Sequence, residues 1–282
     1  MRNRIVLVFL FAAVSALVAK AEDATNLWNE VGRRFSVSAY ADVESAYWAR
    51  GAIVDKNPYS AQFADLSFDF DRFGRVGGYA WSVSSMSRRG QAATRRNAYN
   101  EVDYGVYYDY RLGIADGWAI DNMVAKKWVT LPGYRPHAHS ISEWNVSQAL
   151  ENPYVTPYYL LRRACHGQDW CYWDVGVRRS FEVCERLTFT AQFFGELGDS
   201  RHFAAQYGTN PNARSGRYSN GLMALNLLLR LDYAFTDEFG IFAFVHQFDV
   251  VNDDARAALD ANTNPESLKD LTMFGVGIAL KF

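Results

Sequence analysis

From Arg34 to Phe282 the chain breaks into about twelve stretches in which apolar and polar residues alternate, and the connections between them alternate long and short. Counted from the first stretch, the odd connections are the long ones: Gly51–Tyr59, Ser87–Asn97, Pro132–Ser140, Cys165–Trp170, Asp199–Asn220 and Asn252–Asp270. The even ones, such as Asp71–Gly74, Gly113–Gly117 and Thr236–Glu238, are tight turns. Two stacked sheets have no reason to sort their loops by parity. A closed up-and-down barrel with two unlike rims does, and an even strand count returns both chain ends to the short-turn rim.

Period two sends successive side chains to opposite faces of a strand. The closing stretch shows it most cleanly, with Phe274, Val276, Ile278, Leu280 and Phe282 set against Met273, Gly275, Gly277, Ala279 and Lys281. Glu101–Leu112 sets Val102, Tyr104, Val106, Tyr108, Tyr110 and Leu112 against Glu101, Asp103, Gly105, Tyr107, Asp109 and Arg111. Arg34–Arg50 reads as one long strand with Phe35, Val37, Ala39, Ala41, Val43 and Tyr47 on its outer face. Tyr79–Met86 reads with Tyr79, Trp81 and Val83 outward and Gly78, Ala80, Ser82 and Ser84 inward. Leu222–Ala234 reads with Met223, Leu225, Leu227, Leu229, Leu231 and Tyr233 outward. The expected fold is all-β: an antiparallel transmembrane β-barrel of about twelve strands over residues 34–282, after a lead-in at 22–33.

Composition agrees. Aromatics make up 16% of the chain, yet mean hydropathy is only -0.20, as when greasy and wet positions average out along each strand. Beyond the first residues no apolar run is long enough for a membrane-crossing helix. A net charge of -2 speaks against a nucleic-acid surface. Met1–Ala21 has a basic start, an apolar stretch over Ile5–Val18 and an Ala19-Lys20-Ala21 cleavage site, and so reads as a secretory signal peptide that is removed. Bacterial outer-membrane barrels end on an apolar strand with a terminal aromatic. That pattern implies an outer-membrane address in a Gram-negative cell and an assembly signal at Phe282, read by the barrel-assembly machinery through the closing strand.

Tyr47-Trp48-Ala49-Arg50-Gly51, Asn57-Pro58, Glu101-Val102-Asp103-Tyr104 and Asn152-Pro153-Tyr154-Val155 resemble elements of the TorF family of porins, with Ala49 interposed in the family's aromatic-Arg-Gly element. The resemblance implies an outer-membrane barrel with pore function. It brings no substrate and no catalytic residues.

The charges expected inside such a barrel are Asp42, Glu44, Asp65, Asp69, Glu101, Asp103, Asp109, Arg111, Asp174, Arg178, Glu196, Arg230, Asp232 and Lys281. As a pore lining they would make a wet, mixed-sign lumen that passes small solutes by diffusion, with acids in excess and a cation preference. Paired across the interior, they would instead seal it. No cofactor or metal is expected, and the partners are membrane lipid, lipopolysaccharide and small solutes.

Three features compete for chemistry. His137, His139, Ser140, Ser142 and Asn145 could serve a lipid-modifying barrel enzyme, but a polar loop after Pro136 explains them more simply. A closed surface-recognition barrel is the other alternative. Cys165 and Cys171 flank a short loop and form a disulfide candidate, with Cys184 at the opposite rim. Trp48, Trp81, Trp118, Trp128, Trp144, Trp170 and Trp173 read as interfacial girdles more simply than as a carbohydrate-stacking track, and Arg88, Arg89, Arg95 and Arg96 fit equally an outer-loop site for lipid phosphates or an ordinary solvated loop.

Overall fold

The computed structural model describes residues 32–50, 52–86, 99–131, 139–261 and 268–282. The expected signal peptide, most of the expected lead-in, the Arg88–Arg96 cluster and His137 lie outside them, as does the side chain of His139. The strands are β1 (Phe35–Glu44), β2 (Tyr47–Ala49), β3 (Ala52–Asp55), β4 (Tyr59–Asp69), β5 (Arg75–Ser85), β6 (Tyr99–Ala115) and β7 (Trp118–Leu131). They continue with β8 (His139–Glu151), β9 (Thr156–His166), β10 (Cys171–Cys184), β11 (Leu187–Gly198), β12 (Gly221–Ala234), β13 (Phe239–Val250) and β14 (Asp270–Lys281). Twelve of these form one closed antiparallel barrel, and β2 and β3 pair separately as a two-stranded sheet.

Closure comes from the first and last strands. β1 runs antiparallel to β14 with Ala39 opposite Leu280 and Val43 opposite Val276. Phe282 and Val37 then exchange both backbone hydrogen bonds, each 2.8 Å, so the terminal residue is tied to the opening strand. Every strand edge of the barrel is thereby paired, as a membrane interior requires. The outer face is apolar and bare: Tyr104, Val106, Val175, Phe193, Phe274 and Val276 are 39% or more exposed. Side chains that would be a liability in water form the belt a barrel presents to acyl chains.

The first expected strand is two elements. β1 stops at Glu44, where Ser45 leaves the wall: its N–H donates to the Phe274 carbonyl (2.9 Å) and its Oγ accepts from the Phe274 N–H (3.0 Å). The chain then turns into the barrel as the β2–β3 hairpin, which reverses at Arg50 with a left-handed φ of 52°. This break in alternation places Tyr47 inside, not on the outer face.

The faces of β5 are also reversed from expectation. Its odd residues lie opposite the inward residues of β4, with Trp81 against Phe63 and Val83 against Ala61. Val76 and Ala80 are the ones turned outward. The cause is size: the lumen here needs rings and a valine to fill it, so small residues are left for the outside. In β12 a bulge opposite Glu196–Leu197 turns Met223 inward, where it is fully buried, and leaves Leu222 outward.

Among the described residues two helices sit at the long-loop rim. α1 (Ser200–Tyr207) is capped by Asp199, whose carboxylate accepts from the His202 N–H at 2.8 Å. α2 (Asp253–Ala261) follows Asn252, whose side chain accepts from the Ala255 N–H at 3.0 Å. Phe203, Tyr207 and Tyr218 from the β11–β12 connection, Ala255 and Ala258 of α2, Trp170, and Phe248 and Val250 of β13 form one apolar core inside this mouth. Trp48 and Ile53 of the inner hairpin pack against it.

Candidate functional site

Beneath that core the barrel is hollow. A cavity of about 1180 Å³ runs from the short-turn rim, at Asp69, Asp71 and Gly74, up to the underside of the inner hairpin at Tyr47, Trp48 and Arg50. Its wall carries Asp42, Glu44, Asp69, Glu101, Asp103, Asp109, Arg111, Asp174, Arg178 and Arg230. Asp65 also points inward, accepting a hydrogen bond from the Tyr107 hydroxyl (3.1 Å), and Asp232 pairs with Arg230 at 2.6 Å. Glu196 lies opposite Asp174 on the same inner face and is completely buried there, with the Tyr172 hydroxyl donating to it. Lys281 is exposed at the short-turn end.

The ionic centre of the site lies where the hairpin tip meets the wall. Arg50 contacts Glu101 at 3.0 Å and Glu143 at 3.4 Å, and the Tyr47 hydroxyl donates to Glu101 at 2.5 Å. Lys127 bridges Asp103 (2.9 Å) and Glu143 (3.3 Å), and Arg162 holds Asp174 at 2.6 Å while lying over the Tyr172 ring. Glu143 has no exposed surface at all. A charge buried so deeply is tolerated only while its partners stay in place. Arg50 is therefore the pin that fastens the hairpin to the wall.

Arg50, Lys127, Glu143 and Arg162 were not among the expected inward charges. Lys126-Lys127 and Arg162-Arg163 are doublets, and in a strand one member of each must face in and the other out. Hydropathy cannot choose between identical neighbours. Register does: Lys127 lies opposite Gly105 and Glu143, and Arg162 opposite Asn145 and Tyr172.

The tryptophans divide. Trp118 and Trp144 are exposed on the outer surface, and Trp128 stacks on the exposed Tyr104. Trp48, Trp81 and Trp170 are interior and form no girdle. Trp48 packs edge-on to His246 (4.9 Å), Trp81 lines the cavity, and Trp170 lies against His202 (4.8 Å). The aromatics of the interior are held flat by their neighbours' lack of side chains. A Cβ at Gly275 or Gly277 would run into the ring of Phe244 or Phe242.

His202 of α1 is fully buried between Trp170 and Tyr172. Its Nε2–H donates to the Arg50 carbonyl at 3.0 Å, which leaves Nδ1 without a partner. Burial pushes the imidazole down to about 4, so it is neutral near pH 7.

Ser142 and Asn145, being three apart on β8, face opposite sides of the wall. Asn145 is opposite the inward Arg162, and the Ser142 Oγ contacts the Lys126 Nζ at 3.1 Å. They cannot serve one catalytic base between them. The three cysteines are free thiols. Cys171 lies opposite Arg163, not Cys165, and the Cys165 thiol faces Lys126 and Ser142, so the candidate disulfide across this loop is not formed.

No family model and no curated protein matches the chain. Solved structures match it as folds. An outer membrane channel from Pseudomonas putida F1 aligns over 88% of this chain and 95% of its own, with 8% identity and a TM-score of 0.53. The NanC porin covers 87% and 100% at 10% identity and TM-score 0.48. Outer membrane phospholipase A from Escherichia coli covers 89% and 96% at 12% identity and TM-score 0.45. The closed twelve-strand barrel and the first of these likenesses give the chain the fold of an outer-membrane β-barrel.

Proposed function

We propose that this protein is an outer-membrane channel for small hydrophilic solutes, open toward the short-turn side and stopped at the other end by its first long connection and the aromatic core packed on it. One observation carries the reading. The barrel's outer face is apolar while a charged cavity of about 1180 Å³ occupies its inside, reaching from the short-turn rim to Arg50. A barrel needed only as a structural plug would fill that space with side chains. In this reading the short turns face the periplasm, the charged wall chooses among solutes, and the β2–β3 hairpin is the gate. The TorF resemblance, export by the leader and assembly through Phe282 belong to the same proposal. Purified protein in planar lipid bilayers should give discrete conductance steps, and liposomes containing it should swell in small sugars faster than in large ones. Silent bilayers across a range of voltages would remove the channel.

A further inference from the structure

We infer that the lumen contains a binding site for an organic cation, built on β1, β4 and β5 from the Asp42 and Glu44 carboxylates and the rings around them. The inference rests on the channel reading, since it names the class of solute that would enter. Charge accounting along the cavity wall points to it. Each basic side chain there, from Arg50 to Arg230, already holds a carboxylate. Among the described residues of the wall Asp42 and Glu44, and Asp69 at the open rim, have no such partner; of the inner two, Glu44 is met only by the Tyr59 hydroxyl, which carries no charge. Asp42 is only 7% exposed and takes one backbone hydrogen bond, from the Ala61 N–H at 3.2 Å. Two residues apart on one strand, the two acids face the same way, about 7 Å from each other.

Their surroundings are aromatic. Tyr40 stacks on Phe63 with centroids 5.0 Å apart, and Tyr47 packs against Tyr59 (5.1 Å) and Trp81 (6.1 Å). Ring faces attract cations through their quadrupole, and most strongly where water is thin. An anion would be repelled here, and a neutral solute would leave both carboxylates uncompensated. A small metal ion wants six or more oxygens in place of its water, whereas this pocket offers two acids and carbon faces. A protonated amine or guanidinium satisfies both parts at once. Further along the same cavity, Asp103 Oδ1 and Asp174 Oδ1 are buried acceptors with no donor, on side chains 5% and 7% exposed. They extend the demand for a donor-rich, positively charged guest.

The test is equilibrium dialysis of the detergent-purified full chain with labelled agmatine, with glutamate and glucose as controls. Agmatine should bind saturably and at least tenfold tighter than either control. Affinity should fall tenfold or more in D42N/E44Q and in Trp81→Leu, and should hold in Asp237→Asn on the exposed β12–β13 turn. Equal retention of agmatine and glutamate, or unchanged binding in D42N/E44Q, overturns the site. Should D42N/E44Q fail to assemble, the ranking of ligands on the unaltered chain and the Trp81→Leu result decide. Conductance steps without agmatine binding would leave the channel standing and remove the site, and agmatine binding without steps would do the reverse.

Discussion

The two ends of this barrel are built from opposite materials. At the short-turn rim the interior is wet, and its charges pair in the open: Arg111 with Asp121 at 3.1 Å and Arg75 with Asp109 at 2.6 Å, on side chains 28–65% exposed. At the long-loop rim the interior is dry, filled by the rings of Trp170, Phe203, Tyr207 and Phe248. Between them the tip of the β2–β3 hairpin places Arg50 against carboxylates that have almost no exposure. The same kind of ion pair is thus decorative at one end and structural at the other, because solvent screens the first and not the second.

The contrast is broken most directly at Arg50. Arg50→Ala leaves Glu101 and Glu143 buried without their main cation, a loss on the order of 3–5 kcal/mol. Heat-dependent gel mobility should show an earlier unfolding midpoint, and conductance should rise as the hairpin comes loose. Acid should act on the same end. His202 is neutral when folded because its value is lowered to about 4, below the unfolded value near 6.5. Its contribution is therefore complete above about pH 6.5 and is lost as the pH falls toward 4, by up to about 3 kcal/mol. Limited proteolysis of residues 199–220 should accelerate over that window, and His202→Phe should flatten the dependence.

Packing gives a smaller effect. Gly277→Val would drive a side chain into the Phe242 ring, at a cost of about 1–3 kcal/mol, read as a lowered midpoint in the same mobility assay. The smallest change belongs to the wet rim. Arg111→Ala should move stability by less than about 1 kcal/mol. If it cost as much as Arg50→Ala, the distinction between the two ends would fail.

Much of the barrel was legible in the residues. The parity of loop lengths and the alternation of β6 and β14 fixed closure, strand number and the outward face of the last strand. What alternation could not supply was which face is lipid when both have a claim. On β5 the lumen takes Tyr79, Trp81 and Val83, and a rule that sends grease outward inverts the strand. On β1 the outward series is interrupted only by Ser45, a single polar residue that is easily read through, and the Ser45 contacts with Phe274 show the chain leaving the wall there. The hairpin's other local signal is Arg50-Gly51, a turn dipeptide inside an apolar run. Of the ionic centre, the carboxylates Glu101, Asp103 and Asp174 were legible as inward charges, but its cations were hidden, since Arg50 comes from the hairpin and Lys127 and Arg162 from doublets whose inward member depends on register with neighbouring strands.

The most direct measurement is single-channel conductance of the intact protein beside a variant in which residues 46–57 are replaced by a short Gly-Ser linker. With the inner hairpin as the stopper, the variant should show steps several times larger than the intact chain, at equal salt and voltage. Identical steps in both would place the constriction elsewhere, and silence in both would mean that the cavity leads nowhere.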